Sequence, residues 1–509
     1  MGWYVLAALL GGVQALSFAP LPSGMMQIGS LAGMLLLLPY VARPARVAFV
    51  FGVAWFCAGL YWLHFSMNGV GGLPTWMSAL AIVALSSYLA LYYMMALGAW
   101  RRFFAERRVS SYLVAFPALW LVAELARGYV FGGFPWLASG YAHIDNPLLK
   151  GWFAIFGVYG VGFAAAMCAG ALAFVGRCVM ERRREINGLA LTAVSMAVLA
   201  VVGLIVQGLN WGEKAGAPIS VSIVQPNVAQ TNKFDEQVML SNTLLFIKHA
   251  AQSPAQLTVF PETALPYPWT QVPIEPLEAL HPRLNGRAVL MGSVGIDDAK
   301  HAFYNSAMWL SEKDDLLDPP RYDKIHLLPF GEMIPWGFQW FVDAMKIPLG
   351  GYGYGTSRKP FELNVAGQTT RVGVNICYEN EFGEELIKAW VNGDDAAPNV
   401  WVNMSNLGWF GTVNQSTAQE QHLSMSRARA LEMARPVIVA TNTGLSAFID
   451  ASGGVQQLRP DVAVSATVQV QGMHGVTPYI GWGNAPMLGL ASLLFGLSVF
   501  LRHRVMSLD

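Results

Sequence analysis

Charged side chains are scarce in this sequence. Asp, Glu, Lys and Arg make up 13% of its 509 residues, against about 25% in soluble globular proteins. The deficit falls in the first 210 or so residues and in a short stretch near the C-terminus. The 32 basic and 32 acidic residues cancel, leaving no net charge, which excludes the basic footprint of a nucleic-acid-binding protein. Cysteine is also rare. Of the four, Cys57, Cys168 and Cys178 lie in or beside apolar runs, where a thiol is usually a small hydrophobe, and only Cys377 lies in a polar region. No C-x-x-C pair and no Cys/His spacing suggests zinc. There is no G-x-S-x-G elbow, no phosphate loop, no dinucleotide fingerprint and no internal repeat.

What the chain has in excess is apolar sequence, 54% of all residues. A bilayer core is crossed by about 20 mostly apolar residues in a helix. Eight segments are candidates: Trp3–Ala19, Gln27–Val41, Val47–Met67, Met77–Trp100, Tyr112–Ala126, Trp152–Met180, Gly188–Leu209 and Ala485–Leu501. The first has no basic leader and is expected to be a retained anchor. Arg43 and Arg46 follow the second segment, and Arg101, Arg102, Arg107 and Arg108 follow the fourth. Arg177 and Arg182 to Arg184 end the sixth, and Arg502 and Arg504 follow the eighth. Loop Asn68–Trp76 has no basic residue. Because Lys and Arg stay on the cytoplasmic side, both termini are expected inside and the long segment after the seventh helix outside.

That segment reads as one α/β domain. Short apolar, β-branched runs recur at Ile219–Val224, Leu257–Phe260, Ala288–Val294, Thr370–Ile376, Asn399–Asn403, Pro436–Thr441 and Val464–Val470. Helical stretches are expected at Asp235–Ala251, Glu381–Val391 and Gln415–Ala434. The expected architecture is therefore a polytopic α-helical membrane domain with about eight spans plus an α/β domain. The boundaries are 1–212 for the first seven helices, 213–480 for the extracytoplasmic domain and 481–509 for the last helix and tail.

Three segments carry side chains suited to chemistry. Glu262 follows an apolar strand in Val259-Phe260-Pro261-Glu262-Thr263; Lys324 lies in Tyr322-Asp323-Lys324-Ile325-His326; Cys377 ends the run Val372-Gly373-Val374-Asn375-Ile376-Cys377. Each alone is an ordinary loop or core residue. Together, in this order, they resemble the Glu–Lys–Cys triad of the nitrilase superfamily: Glu262 in the place of the general base, Lys324 of the catalytic lysine, Cys377 of the nucleophile. A thiol needs a base to become the attacking thiolate, and an ammonium can stabilise an oxyanion.

The whole chain resembles the bacterial apolipoprotein N-acyltransferase family. The likeness runs through Ser17-Phe18-Ala19-Pro20, Glu124-Leu125-Ala126-Arg127-Gly128, Gly133-Phe134-Pro135-Trp136, the triad segments, Ser405-Asn406, Trp409-Phe410-Gly411, Arg427 to Glu432, Arg435-Pro436 and Thr477-Pro478-Tyr479. It implies an α-β-β-α nitrilase-like domain facing the periplasm from the inner membrane. It also implies transfer of an acyl chain from a phospholipid to the α-amine of the diacylglyceryl-cysteine that begins an apolipoprotein, with the bilayer as the third partner and no cofactor or metal. Glu332, Tyr378, Glu379 and Asn305 are implied to support the triad, and Phe234 to line the acyl pocket. Trp336, Trp409 and Phe410 are the other candidates for substrate contact. Leu407 stands where the family often has aspartate, and Thr412–Gln421 is longer than usual.

Other readings stay open. The same triad could serve a membrane-tethered amidase acting on a different amide or lipid. His326, beside Lys324, reads more readily as a positioning residue than as a base. Trp336, Phe338, Trp340 and Phe341 form either core or a lid touching lipid. Glu124 and Arg127, at helical i, i+3 spacing inside an apolar run, suggest mutual pairing. Gly351-Tyr352-Gly353-Tyr354-Gly355 lacks a following helix and reads as a flexible loop.

Overall fold

The computed structural model describes residues 1–21, 23–104, 108–230, 232–233, 235–340, 351–365 and 367–506. The candidate residues Phe234 and Phe341, and the loop residue Arg107, lie outside the described residues. The chain divides into two compact units. One comprises Met1–His64, Leu73–Asn210 and Thr477–Asp509; the other comprises Phe65–Gly72 and Trp211–Val476.

The first unit is helical. Its main helices are α1 (Gly2–Leu16), α2 (Gly24–Leu37), α3 (Pro44–Gly59), α4 (Thr75–Ala99), α5 (Phe116–Tyr129), α6 (Phe153–Met180) and α7 (Ile186–Gly208), followed by Ala485–Met506 near the C-terminus. Among the described residues, four helical stretches are long and apolar enough to cross a membrane: Thr75–Phe104, Ser111–Gly132, Lys150–Met180 and Ile186–Gly208. The apolar stretches Gly2–Leu16, Gly24–Tyr40, Pro44–Gly59 and Ala485–Leu494 are shorter. The third expected span, Val47–Met67, stops early. Trp62 folds back so that its indole N–H donates to the Gly59 carbonyl at 3.0 Å, taking up an end group that would otherwise continue the helix.

Glu124 and Arg127 are both fully buried. Their direct ion pair is long, 3.8 Å. Each charge is satisfied mainly by neighbours: Glu124 accepts from the Tyr93 hydroxyl at 2.8 Å and the Ser139 amide at 3.0 Å, while Arg127 donates to the carbonyls of Phe134 and Trp136. The arginine thereby ties the loop after α5 to its own helix, consistent with the rule that a buried charge persists only when hydrogen-bonded.

The second unit is built on two six-stranded sheets. Apart from a short pair, β1 (Glu213–Lys214) and β14 (Met473–His474), the strands are β2 (Ile219–Gln225), β3 (Leu257–Val259), β4 (Ala288–Asp297), β5 (Ala302–Ser311), β6 (Arg321–Asp323), β7 (Phe361–Val365), β8 (Gln368–Ile376), β9 (Val400–Ser405), β10 (Val437–Thr441), β11 (Ala447–Ile449), β12 (Val455–Gln457) and β13 (Val464–Val470). One sheet runs β13-β2-β3-β4-β5-β6 and the other β7-β8-β9-β10-β11-β12. Each has the same plan. Three strands are parallel (β2-β3-β4 and β8-β9-β10), two antiparallel strands extend one edge, and one antiparallel strand flanks the other.

The period of two along each strand explains the layering. Val221, Ile223, Leu257, Val259, Leu290 and Trp309 point to one apolar core that they share with Val372, Val374, Ile376, Val402 and Ile438 of the other sheet. The alternate residues Val224, Phe260, Val289, Met291 and Met308 pack outward with Phe246 and Ile247 of the helix Glu236–Gln252. Strands covered on both faces have no polar side to show, so they read as continuous apolar runs. Helix Ala418–Met433 packs against β10 and β11. The helix expected at Glu381–Val391 is instead a chain of short turns, Cys377–Glu381, Gly383–Leu386 and Ile387–Trp390. Strands β5, β6, β7, β11 and β12, and the short pair β1 and β14, were not legible in the sequence.

Trp309 of one sheet stacks on Phe361 of the other, with ring centroids 5.0 Å apart. Truncating a buried aromatic side chain costs about 3–5 kcal/mol. Trp309→Ala is expected to lower the melting temperature of the purified protein by several degrees and to lower activity with it, because the two sheets carry different parts of the site described next. A thermal melt in detergent checks this.

Candidate active site

Glu262, Lys324 and Cys377 come together from turns that follow β3, β6 and β8. β3 and β8 are parallel strands, whose carboxyl ends are the usual location of sites in α/β sheets. Two of the turns use left-handed backbone at residues other than glycine, Thr263 (φ 51°) and Cys377 (φ 51°). Such conformations cost about 1–3 kcal/mol and persist where surrounding structure fixes them. The Pro261–Thr263 turn also lies against Gly292 of β4, where a Cβ would meet the Pro261 carbonyl at 2.5 Å.

Lys324 is 1% exposed. Its ammonium lies 2.7 Å from Glu332 Oε2 and 3.7 Å from Glu262 Oε1. Asn305 spans the same two carboxylates, donating from Nδ2 to Glu262 Oε1 at 2.8 Å and to Glu332 Oε1 at 2.7 Å. Burial alone would lower the lysine pKa, but the carboxylates of Glu332 and Glu262 outweigh it and hold the pKa above the ordinary lysine value. The lysine is therefore a fixed cation. Cys377 responds the other way. Burial and then the nearby Glu262 carboxylate push its thiol well up, with Lys324 opposing them. At rest Cys377 is thus a neutral thiol in the field of the Glu262 carboxylate.

The backbone N–H of Asn406 donates to Glu262 Oε2 at 2.9 Å and also acts on the Cys377 thiol. Asn406 directly follows β9, the parallel neighbour of β8. Its position at a strand's carboxyl end beside Cys377 was the available sequence signal for a role that went unassigned.

Glu379 is fully buried and joins two of the turns. It accepts from the Ile376 amide at 2.7 Å, beside the cysteine, and from the amides of Ile325 at 2.9 Å and His326 at 3.1 Å, beside the lysine. The Tyr322 hydroxyl donates to it at 2.7 Å. Tyr378 is buried with its ring against His326 and Phe382. His326 stacks on Phe382, with centroids 3.7 Å apart, and its Nδ1 lies 3.0 Å from Glu385. It faces this structural network, which is where a positioning residue belongs. The Gly351–Gly355 segment, expected as a flexible loop, is tied down by backbone bonds from Gly353 to the Phe303 carbonyl and from Gly355 to the Lys324 carbonyl. A Cβ at Gly355 would collide with the Asp323 carbonyl, so glycine is needed for that approach.

Trp409 and Phe410 lie half-buried in the turn Leu407–Phe410 that directly follows Asn406. Trp336 is 95% exposed, and Trp340 and Phe338 are exposed as well. Among the described residues none of the three belongs to a core cluster, and Phe338 packs its ring on Phe330.

Comparison with known proteins finds relatives along the whole chain. Residues 10–171 match the model of the apolipoprotein N-acyltransferase N-terminal domain, and residues 220–472 match that of the carbon-nitrogen hydrolases. An apolipoprotein N-acyltransferase of Ralstonia nicotianae is 42% identical over 98% of this chain and 93% of its own length. One of Bordetella bronchiseptica is 36% identical over 96% and 94%. Among solved structures, a CN-hydrolase superfamily protein from Xanthomonas campestris, XC1258, aligns with 54% of this chain and 97% of its own, at 16% identity and a TM-score of 0.36. Identity of this extent along nearly the whole length means that the chain belongs to the apolipoprotein N-acyltransferase family, as a membrane enzyme with a carbon-nitrogen hydrolase domain.

Proposed function

We propose that the protein transfers an acyl chain from a phospholipid to the N-terminal α-amine of diacylglyceryl-cysteine apolipoproteins through a thioester on Cys377. The observation that carries this reading is the buried constellation in which a lysine held between two carboxylates sits beside a neutral thiol. The names of the relatives supply the donor and acceptor classes.

In the first half-reaction, Glu262 takes the Cys377 proton as the thiolate attacks the ester carbonyl carbon. Lys324 stabilises the resulting oxyanion. The carbon–oxygen ester bond then breaks, Glu262 returns the proton to the leaving alkoxide, and lysophospholipid departs from the thioester. In the second, the acceptor amine attacks the thioester carbonyl and passes a proton to Glu262. The carbon–sulfur bond breaks, the amide is released, and the thiolate recovers its proton. Glu332 and Asn305 keep Lys324 and Glu262 in place, Glu379 and Tyr378 hold the turns that bear Lys324 and Cys377, and Phe234, Trp336, Trp409 and Phe410 meet the lipid chains. The exposure of Trp336, Phe338 and Trp340 supports a lipid-facing role, since amphipathic aromatics favour the membrane interface.

The arrangement we infer is eight membrane helices in the bacterial inner membrane, seven in residues 1–212 and one in 481–509. Both termini are cytoplasmic and the catalytic domain of residues 213–480 is periplasmic. The loop charges support it.

Incubation with phospholipid alone is expected to add one acyl mass to the peptide containing Cys377, removable by neutral hydroxylamine. Cys377→Ala should form neither adduct nor product. An alanine variant that still acylates apolipoprotein, or initial-rate plots for the two substrates that intersect instead of running parallel, would overturn the covalent mechanism.

Lys324→Met and Glu262→Gln should each lower turnover by about 100-fold or more, the scale of losing one oxyanion donor or one general base, while thermal melts show both still folded. Near-normal turnover in either reassigns the triad.

A membrane-impermeant thiol label should reach Lys313→Cys in intact spheroplasts and Arg184→Cys only after permeabilisation, both positions being exposed. The opposite pattern would invert the topology.

A further inference from the structure

A second lysine lies beside the site and has no part in the triad. Lys233 is 4% exposed. Among the described residues its ammonium makes one hydrogen bond, to the backbone carbonyl of Glu262 at 3.5 Å. The rest of its surroundings form a small cavity bounded by Val228, Met239, Asn242, Phe246, Ala264 and Asn442. Among the described residues no acidic side chain lines that cavity, and the charge that acts on Lys233 is Glu262. A lysine buried among apolar groups is costly unless its charge has a purpose.

The charge balance of the site supplies one. Lys324 is flanked by two carboxylates, Glu262 and Glu332. With one cation the buried group is net negative, and a carboxylate in that setting is disfavoured as an anion. Lys233, whose charge acts on Glu262, brings the group to two cations and two anions. Its bond to the carbonyl of Glu262 also holds the turn that aims the carboxylate. We propose that Lys233 is a positioning residue that fixes the Glu262 turn and offsets the second carboxylate of the group, so that Glu262 can take the Cys377 proton.

This rests on Glu262 being the base. The groups facing Glu262 are Lys324 and Lys233 as cations, Glu332 as an anion, and Cys377 and Tyr352 as neutral acids. Burial lowers the Lys233 pKa to about 8, with Glu262 opposing the shift. The cation is therefore present at neutral pH and is lost as pH rises through that value. A carboxylate deprived of a neighbouring cation keeps its proton to higher pH.

The test is the pH profile of thioester formation on Cys377, using the full chain and phosphatidylethanolamine in mixed micelles, with peptide mass as the readout. In Lys233→Met the acid limb of the rate should move up by about one pH unit, making the variant about tenfold slower below the limb. Wild type and variant should agree on the plateau near pH 8, where Lys233 itself loses its charge. Lys233→Arg, which keeps the charge, should follow the wild-type limb. Lys233→Gln replaces the methionine variant if a thermal melt shows that one unfolded.

A neutral variant with an unmoved acid limb overturns the proposal, and so does a uniform loss at all pH values, which a merely structural lysine would give. An arginine variant as displaced as the methionine one overturns it too. Glu262→Gln, run in parallel, separates the two readings. If it still forms thioester at the wild-type rate, the base assignment fails. If it is inactive while Lys233→Met keeps the wild-type limb, only the role of Lys233 fails.

Discussion

The contact between the Lys324 ammonium and the Glu332 carboxylate, 2.7 Å long and almost free of solvent, sets the terms for everything around it. A buried lysine would ordinarily shed its proton, and a buried glutamate would ordinarily hold one. Beside the carboxylate the lysine keeps its charge, and the pair then imposes order on its neighbours. Asn305 bridges it to Glu262, the Leu328 amide donates to Glu332 at 2.8 Å, and Gly355 approaches the lysine backbone closely enough to bond its carbonyl. Removing either partner would leave the other charge without its closest counter-ion.

Around that pair the protein divides its labour between two sheets of the same plan. The first sheet carries Glu262 and Lys324, the second carries Cys377, and the apolar core between them holds the two in register. Glu379 completes the join. One carboxylate accepts backbone amides from both the lysine turn and the cysteine turn, so the distance between thiol and cation is set by hydrogen bonds of fixed length. Such an arrangement suits the proposed chemistry, in which donors must already be aimed where charge will develop. The thiol stays neutral at rest because burial and Glu262 both disfavour the thiolate. In the proposed mechanism this delays activation until a carbonyl is present to receive the electrons.

Much of this was legible in the residues. Long apolar stretches can only be buried in lipid or core, so the helices of the first unit declared themselves, although Val47–Met67 was read too long because a tryptophan capping its own helix leaves no mark in hydropathy. Buried parallel strands declared themselves as runs such as Ile219–Val224 and Val372–Ile376. Strand β5 did not, because Ala302–Ser311 mixes Asn305 and Ser306 into its apolar pattern, and β6 has only three residues. The helix expected at Glu381–Val391 breaks into turns because its backbone follows the cysteine turn and its carboxylates serve distant partners, as Glu385 does for His326 and Arg358.

The sequence by itself determined the materials: apolar runs too long for a soluble protein, one thiol in a polar region, and Glu262, Lys324 and Cys377 in an order that resembles a known triad. These are properties of residue type and local period, which need no knowledge of distant contacts. Only the tertiary structure decided that Glu262 and Lys324, 62 positions apart, close to 3.7 Å, that Asn406 and Glu379 bring hydrogen bonds to the site, and that Lys233 is buried against Glu262. Burial and charge pairing arise between residues remote in sequence, and one sheet packed on another is what brings them within reach.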